Sequence, residues 1–393
     1  MKLSKEEKIE ELLTRGVSEI IDVDNLKKKL KLGKKLRIKL GIDPTSPNIH
    51  LGRLVPLLKL RDFQDLGHKI VFIVGDFTGT IGDTSDKESE RPVLTDKKIK
   101  ENLKNYVDQV AKVLDIYKVE IRYNSEWLGK LTYKEIGEQA NWFSLAEFTA
   151  RKNIKDRLDK GNRISLKELL YPLMQGYDSV MVRSDVELGG NDQRFNLLAG
   201  RNMQEHYGQE PQDILMTNII EGLDGRKMSS SWGNTINFLD EANDMFGKVM
   251  KMKDDMIITF FEHCTRVSMA KVFEYKSQLS LGSVNPRDIK MELASEITRF
   301  FWGSDKAMEA KKRFISIIQN KEIPEDMPEL SPKSMNILDV MIEAKFAASK
   351  GDARRLIQGG GISINDNKIS DFDIVLSPGN VLKKGKRHFL KIV

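Results

Sequence analysis

His50 and Arg53 stand one helical turn apart in GIDPTSPNIHLGR (41–53), just after Gly41 and Asp43. An imidazole and a guanidinium at that spacing share a face. At a helix start they suit a phosphate chain, because the backbone N–H groups there also favour anions. Gly41 lets a ligand approach the backbone, and Asp43 puts an acid at the end of a strand. The plain alternative is a βα loop with a capping histidine. GRKMSSSWGN (225–234) carries Lys227 and three serines between glycines. Such a loop is rich in donors that could close over a triphosphate, or it is a polar turn. GDFTGTIGD (75–83) ends on Asp83, which can pair with an ammonium, and Lys87 and Arg91 follow within reach of a polyphosphate or in surface ion pairs. YPLMQGYDS (171–179) sets Tyr171, Gln175 and Asp178 at spacings of four and three, on one helical face. A polar stripe among Leu, Met and Tyr requires partners. GGNDQ (189–193) adds Asp192 and Gln193 at a strand-to-helix turn.

Elements of regular length must hold these groups. LRIKLGI (36–42) predicts a strand, and LGRLVPLLKLRDFQDLG (51–67) a helix with Leu51, Leu54, Val55 and Leu58 on one face and Pro56 in its first two turns. KIVFIVG (69–75) is a continuous apolar run, the pattern of a strand buried on both faces of a parallel sheet. A long helix capped by Thr95 or Asp96 is expected over 94–115, and a strand over 119–124. The alternation argues for an α/β fold, a doubly wound parallel sheet of the Rossmann type. In such sheets ligands bind outside the carboxyl ends of the strands. Residues 130–176 read as mostly helical, SVMVRSDVELGG (179–190) as strand and turn, 191–208 as helix and DILMTNII (213–220) as strand. From about 235 the chain becomes helical and methionine-rich, up to the linker candidate IPEDMPELSP (323–332). A small α+β module closes the sequence, with helices over 334–347 and in KGDARRLIQGG, then strands around GISIN, NKIS and HFLKIV.

With 393 residues the chain has room for two or three domains. At 40% hydrophobic and 31% charged residues its composition is that of a globular protein. No apolar run reaches membrane-spanning length, and the N-terminus lacks the apolar core of a signal peptide, so a cytoplasmic protein is expected. The single cysteine, Cys264, excludes an intrachain disulfide and reads as a buried hydrophobe. The net charge of +6 conceals two basic clusters. Lys27 to Lys39 holds eight Lys or Arg and no acid, and the tail holds Lys383, Lys384, Lys386, Arg387 and Lys391. Each is a solvated lysine-rich face or the footprint of a polyanion. One Cys and five His form no zinc pattern, and no Gly-x-Ser-x-Gly elbow occurs. Positioning and electrostatics are therefore favoured over covalent catalysis.

Taken together and in order, these motifs resemble the class I aminoacyl-tRNA synthetases, specifically tyrosyl-tRNA synthetase of the bacterial type. HLGR (50–53) resembles the family's HIGH signature and KMSSS (227–231) its KMSKS loop, with Arg53 and Ser230 at the differing positions. GDFTGTIGD, YPLMQGYD and GGNDQ resemble its tyrosine and ribose motifs. The resemblance implies a two-step ligase: tyrosine and Mg-ATP give tyrosyl-adenylate and pyrophosphate, and the tyrosyl group passes to tRNA(Tyr). Asp83, Tyr171 and Gln175 would bind the tyrosine ammonium, Asp178 the phenol, and Gln193 would lie near the carboxylate. Gly41, Asp43, Gly52, Gly190 and Asp192 would border ATP or the adenylate with Met228, Ser229 and Ser230. His50, Arg53, Lys227, Lys87 and Arg91 would act on the phosphates, and Arg53 is expected to contact ATP. Lys39 stands where many members carry a tyrosine that reads the phenol, and a pairing of Lys39 with Asp178 is one expectation. No protein-bound metal is expected, Mg2+ arriving with ATP. The implied domains are a catalytic domain (1–234) with a helical dimerisation insert (about 125–176), an all-helical anticodon-binding domain (235–328) and a ribosomal-protein-like RNA-binding module (333–393). In the last, Lys350, Arg354 and Arg355 would face RNA. A homodimer is implied. Two rivals are a paralogue that binds RNA or activates another amino acid, and an unrelated nucleotidyltransferase. The retained Asp83, Gln175 and Asp178 and the basic C-terminal module argue against them.

Overall fold

The computed structural model describes residues 4–83, 94–319, 327–365, 367–385 and 388–393. The chain forms two compact units: Met1–Asp240 with Met252–Ile289, and Glu241–Lys251 with Lys290–Val393.

The first unit is built on six strands: β1 (Val17–Ile21), β2 (Arg37–Ile42), β3 (Lys69–Val74), β4 (Val119–Tyr123), β5 (Val186–Gly190) and β6 (Asp213–Thr217). Their order is β1-β6-β5-β2-β3-β4. All neighbours are parallel except β1, which runs antiparallel to β6. The doubly wound sheet expected from the alternation is present, and β1 corrects the all-parallel expectation. VSEII alternates too briefly to announce a strand, and it lies at an edge where only one neighbour is needed. The order reverses between β2 and β5, and a switch point there opens a crevice at the strand ends. Ile70 to Val74 of β3 are buried, which explains their uninterrupted apolar run.

Three helices frame that crevice: α1 (Leu51–Asp65), α2 (Tyr171–Val182) and α3 (Arg194–His206). α1 buries Leu51, Leu54, Val55 and Leu58 as expected, with Pro56 inside it. α2 runs through residues 179–182, where a strand was expected. Ser179, Val180 and Val182 continue its buried face, and Arg183 ends it in the left-handed conformation, φ 48°. The helix expected over 94–115 breaks into Asp96–Leu103 and Tyr106–Ala111, because Asn105 leaves helical geometry at φ −119°, ψ 16°. Gln109 answers that break: its side chain donates to Asn105 O (3.1 Å) and Pro47 O (2.9 Å) and accepts from Ile49 N (2.8 Å). Those bonds shape the loop that delivers His50.

In the second unit a five-stranded sheet has the order β7 (Glu329–Leu330), β11 (His388–Ile392), β10 (Val381–Lys384), β8 (Ile362–Ile364), β9 (Asn367–Lys368). It packs around Ile337, Val340, Met341, Ala353, Ile357, Leu382 and Ile392. The first helix of this module spans Ile337–Glu343, shorter at both ends than expected, since Asn336 caps it through Leu338 N at 3.0 Å. Part of the linker candidate, 323–326, lies outside the described residues, as do Lys386 and Arg387 of the basic tail.

Candidate active site

α2 turns Tyr171, Gln175 and Asp178 into a small pocket with Gly41, Asp43, Thr78, Asp83, Asn124 and Gln193. The Tyr171 hydroxyl donates to Asp43 Oδ2 at 2.8 Å, and Thr78 Oγ1 donates to Asp43 Oδ1 at 2.7 Å. Gly75 makes this possible: a Cβ there would lie 2.0 Å from Asp43 Oδ1. Gln193 Nε2 donates to Asp83 Oδ2 at 2.5 Å, joining two motifs. Burial, aided by the charges of Asp43 and Asp83, raises the Tyr171 hydroxyl well above its ordinary value, so it stays a neutral donor.

Asp178 is buried, 4% exposed. Its Oδ1 accepts from Trp127 Nε1 at 2.8 Å and its Oδ2 from Asn124 Nδ2 at 3.3 Å. Burial pushes its carboxyl up to about 7, against the charge of Lys39 and these two donors. Trp127 and Asn124 follow β4 and were not foreseen from the sequence. They lie 51 and 54 residues from Asp178, so no local pattern links them to it.

A second pocket shares Asp43, Thr45, Arg53 and Gly190 with the first and extends past His50, Gly52 and Asp192 to Lys227, Met228, Ser229 and Ser230. His50 caps α1, its Nδ1 accepting from Gly52 N at 3.1 Å. In the neutral ring that assignment leaves the proton on Nε2. Burial, then the charges of Arg53 and Lys227, lower its pKa to about 3. Lys227 Nζ donates to Asp192 Oδ2 at 2.7 Å. Ser229 N is held by Asn234 Oδ1 at 2.9 Å, and the Arg226 guanidinium lies 4.6 Å from the Trp232 ring centroid. The two signature loops also meet: Gly52 N approaches Met228 Sδ at 3.3 Å. His50, Arg53 and Lys227 thus gather positive or donor character around one crevice.

The His50 shift has a consequence for stability. The unfolded chain binds a proton at His50 below about pH 6.5, whereas the folded chain resists it down to about 3. Stability is therefore lost as pH falls through that window. His50→Gln, which retains a capping acceptor, is expected to show a smaller drop in urea midpoint between pH 7 and pH 5 than the parent chain; equal drops would refute the assignment.

The structure brings together every site residue expected in the first unit except Lys87, Arg91 and Lys39. Lys87 and Arg91 lie outside the described residues. Lys39 needs correction: its ammonium pairs with Glu187 at 2.9 Å rather than with Asp178. Facing residues of β2 and β5 lie in register there, so the nearer carboxylate takes the cation. In the second unit Lys350 Nζ lies 2.6 Å from Asp339 Oδ1, while Arg354 and Arg355 are exposed on the helix Lys350–Gln358. Cys264 is buried, and burial pushes its thiol far above the usual range, in keeping with a packing role. Among the described residues no helix is long and apolar enough to cross a membrane.

Residues 31–319 match the family model of tRNA synthetases class I (W and Y), and residues 319–392 that of the Tyrosine--tRNA ligase SYY-like C-terminal domain. The tyrosine--tRNA ligase of Thermotoga maritima is 44% identical over 395 residues, covering 99% of this chain and 98% of the relative. That of Dehalococcoides mccartyi strain 195 is 44% identical over 392 residues, covering 99% of each. The chain belongs to the class I tyrosyl-tRNA synthetases. Among solved tyrosyl-tRNA synthetases, the one from Archaeoglobus fulgidus complexed with L-tyrosine superposes with a TM-score of 0.62 at 24% identity, over 78% of this chain and 100% of the other. The truncated mitochondrial one from Aspergillus nidulans gives 0.65 at 19%, over 81% and 95%. At those identities the likeness concerns the fold, which is that of a tyrosyl-tRNA synthetase. The motifs that suggested this family from sequence, HLGR, KMSSS, GDFTGTIGD, YPLMQGYD and GGNDQ, all reach the same crevice.

Proposed function

We propose that this chain is a tyrosine--tRNA ligase, which activates L-tyrosine with Mg-ATP to tyrosyl-adenylate and transfers the tyrosyl group to tRNA(Tyr). The observation that carries the reading is the buried Asp178 carboxylate, fixed by Trp127 and Asn124 in a pocket that adjoins the His50, Arg53 and Lys227 crevice. A phenol donates its hydroxyl to Asp178, while Asp83, Tyr171 and Gln175 receive the ammonium and Gln193 lies by the carboxylate. That carboxylate attacks the α-phosphorus of ATP, a P–O bond forms, and pyrophosphate departs with the bonding pair. His50 Nε2–H and the Lys227 ammonium donate to phosphate oxygens as their charge grows, which lowers the barrier. Arg53 adds a fixed cation on ATP, Lys87 and Arg91 reach the departing pyrophosphate, and Mg2+ enters with ATP as substrate. Gly41, Asp43, Gly190 and Asp192 border the nucleotide, with Asp192 on its ribose. In the second step the terminal ribose hydroxyl of tRNA attacks the mixed anhydride and AMP leaves. Tyrosine-dependent ATP–pyrophosphate exchange, compared with phenylalanine and tryptophan, tests this reading; no exchange with tyrosine would overturn it.

The proposed division of labour is catalysis in 1–234, anticodon binding in 235–328 and RNA binding in 333–393. The change of family model at residue 319 supports a boundary near the linker. A cytoplasmic homodimer is part of the proposal, supported by Tyr133 and Leu166, which are 93% and 77% exposed within the 125–176 insert. Replacing Lys350, Arg354 and Arg355 together with alanine is expected to lower kcat/KM for tRNA and flatten its salt dependence by up to about one log unit per lost phosphate contact. Pyrophosphate exchange should be unaffected. Unchanged tRNA kinetics would remove these residues from the RNA interface.

A further inference from the structure

We propose that Lys39 and Glu187 form a buried positioning pair behind the tyrosine pocket, which anchors Gln175 and sets the balance of charge facing Asp178. This rests on the tyrosine-activating reading above and concerns residues that touch no substrate.

The pair is a product of topology. β2 and β5 meet where the strand order reverses, and their register sets Lys39 opposite Glu187. Both side chains are sealed from water, at 0% and 1% exposure. Lys39 Nζ reaches Glu187 Oε1 at 2.9 Å, Gln175 O at 2.9 Å and Ser179 Oγ at 2.7 Å, using all three of its donors. Glu187 in turn accepts from Gln175 Nε2 at 3.0 Å, Ser179 Oγ at 3.1 Å and Gln212 Nε2. Gly200 on α3 leaves room for this arrangement, since a Cβ there would lie 3.1 Å from Glu187 Oε2 and 3.0 Å from Ser179 Oγ. A charged pair so dry persists only with its hydrogen bonds complete. Here it fastens the main chain and side chain of Gln175 to the sheet at once.

The same pair acts on Asp178 through space. From β2 Lys39 favours its anion, and from β5 Glu187 opposes it. The other groups facing Asp178 are the donors Trp127 and Asn124 after β4, and Tyr171 on its own helix, itself bonded to Asp43. Removing either member of the pair must therefore move the Asp178 proton equilibrium, in opposite directions. A role confined to holding the fold together predicts no such opposition.

The test is the acid limb of kcat/KM for tyrosine in ATP–pyrophosphate exchange, which reports free-enzyme groups. Lys39→Met is expected to move the limb to higher pH and, with Asp178 starting at about 7, to raise KM for tyrosine about fivefold at pH 7 for a shift of about one unit, with a smaller change in kcat. Glu187→Gln keeps the shape and one acceptor oxygen, for either Gln175 or Gln212, and is expected to move the limb to lower pH. The neutral double variant, Lys39→Met with Glu187→Gln, should fall between them. With L-phenylalanine, which offers Asp178 no hydroxyl, the limb should not follow the substitutions. Folded single variants whose limbs coincide with the parent's, or move the same way, would overturn the proposal. If Lys39→Met does not fold, an unmoved limb in Glu187→Gln overturns it equally. Failure of the parent chain to exchange with tyrosine would instead overturn the tyrosine-activating reading.

Discussion

Lys227→Ala is expected to lower kcat for tyrosine-dependent pyrophosphate exchange by roughly 10²- to 10³-fold, the usual cost of losing one preorganised donor to a charge that develops in the transition state. KM for tyrosine should change little, because Lys227 lines the second pocket and not the first, which is proposed to hold tyrosine. In the free chain its ammonium rests on Asp192 at 2.7 Å. On the proposed function, the ribose of bound ATP would take over Asp192 and free Lys227 for the phosphates. Asp192→Asn should therefore raise KM for ATP while lowering kcat far less than Lys227→Ala does. Steady-state exchange kinetics with both substrates varied decide the matter. A Lys227→Ala enzyme with parental kcat would show that the KMSSS lysine plays no part in activation here.

The second large effect is expected at Asp178. Asp178→Asn keeps shape but offers one acceptor oxygen to two donors, Trp127 Nε1 and Asn124 Nδ2, and points an amide hydrogen at one of them. A hydrogen bond to a charged group contributes about 1.5–3 kcal/mol, and an unpaired buried donor costs a further 1–3 kcal/mol. Loss of the phenol contact alone should lower kcat/KM for tyrosine by roughly 10- to 150-fold on that scale. Phenylalanine, lacking the hydroxyl, should be activated almost as before, so discrimination narrows by the same factor. Equal losses for both amino acids would mean that Asp178 supports the fold and not the choice of substrate.

Much of this site was legible in the sequence because its parts are short, polar and placed where apolar runs stop. KIVFIVG and LRIKLGI end on the residues that line the crevice, and the spacing of Tyr171, Gln175 and Asp178 holds on α2. What stayed hidden has a common cause. Trp127, Asn124 and Glu187 meet their partners through the sheet, across separations that no periodicity encodes. Lys39 was noticed for its identity, yet its partner depended on which strand lies beside β2, a matter of topology. The run SVMV misled because β-branched residues suit a strand, while in the structure three of the four complete the buried face of a helix. Asn105 broke a helix that its neighbours favoured, since its loop is fastened by Gln109 instead.

Gly52 deserves its place at the centre of the HLGR motif. A Cβ there would lie 2.9 Å from the His50 ring and 3.5 Å from Met228 Cβ. Its single amide proton faces His50 Nδ1 at 3.1 Å and Met228 Sδ at 3.3 Å, joining loops 176 residues apart. Any displacement of the KMSSS loop from this position would remove Met228 and leave the imidazole as the acceptor. The resonance of that one amide, labelled with nitrogen-15 glycine, would thus serve as a built-in spectroscopic reporter of where the loop lies relative to His50.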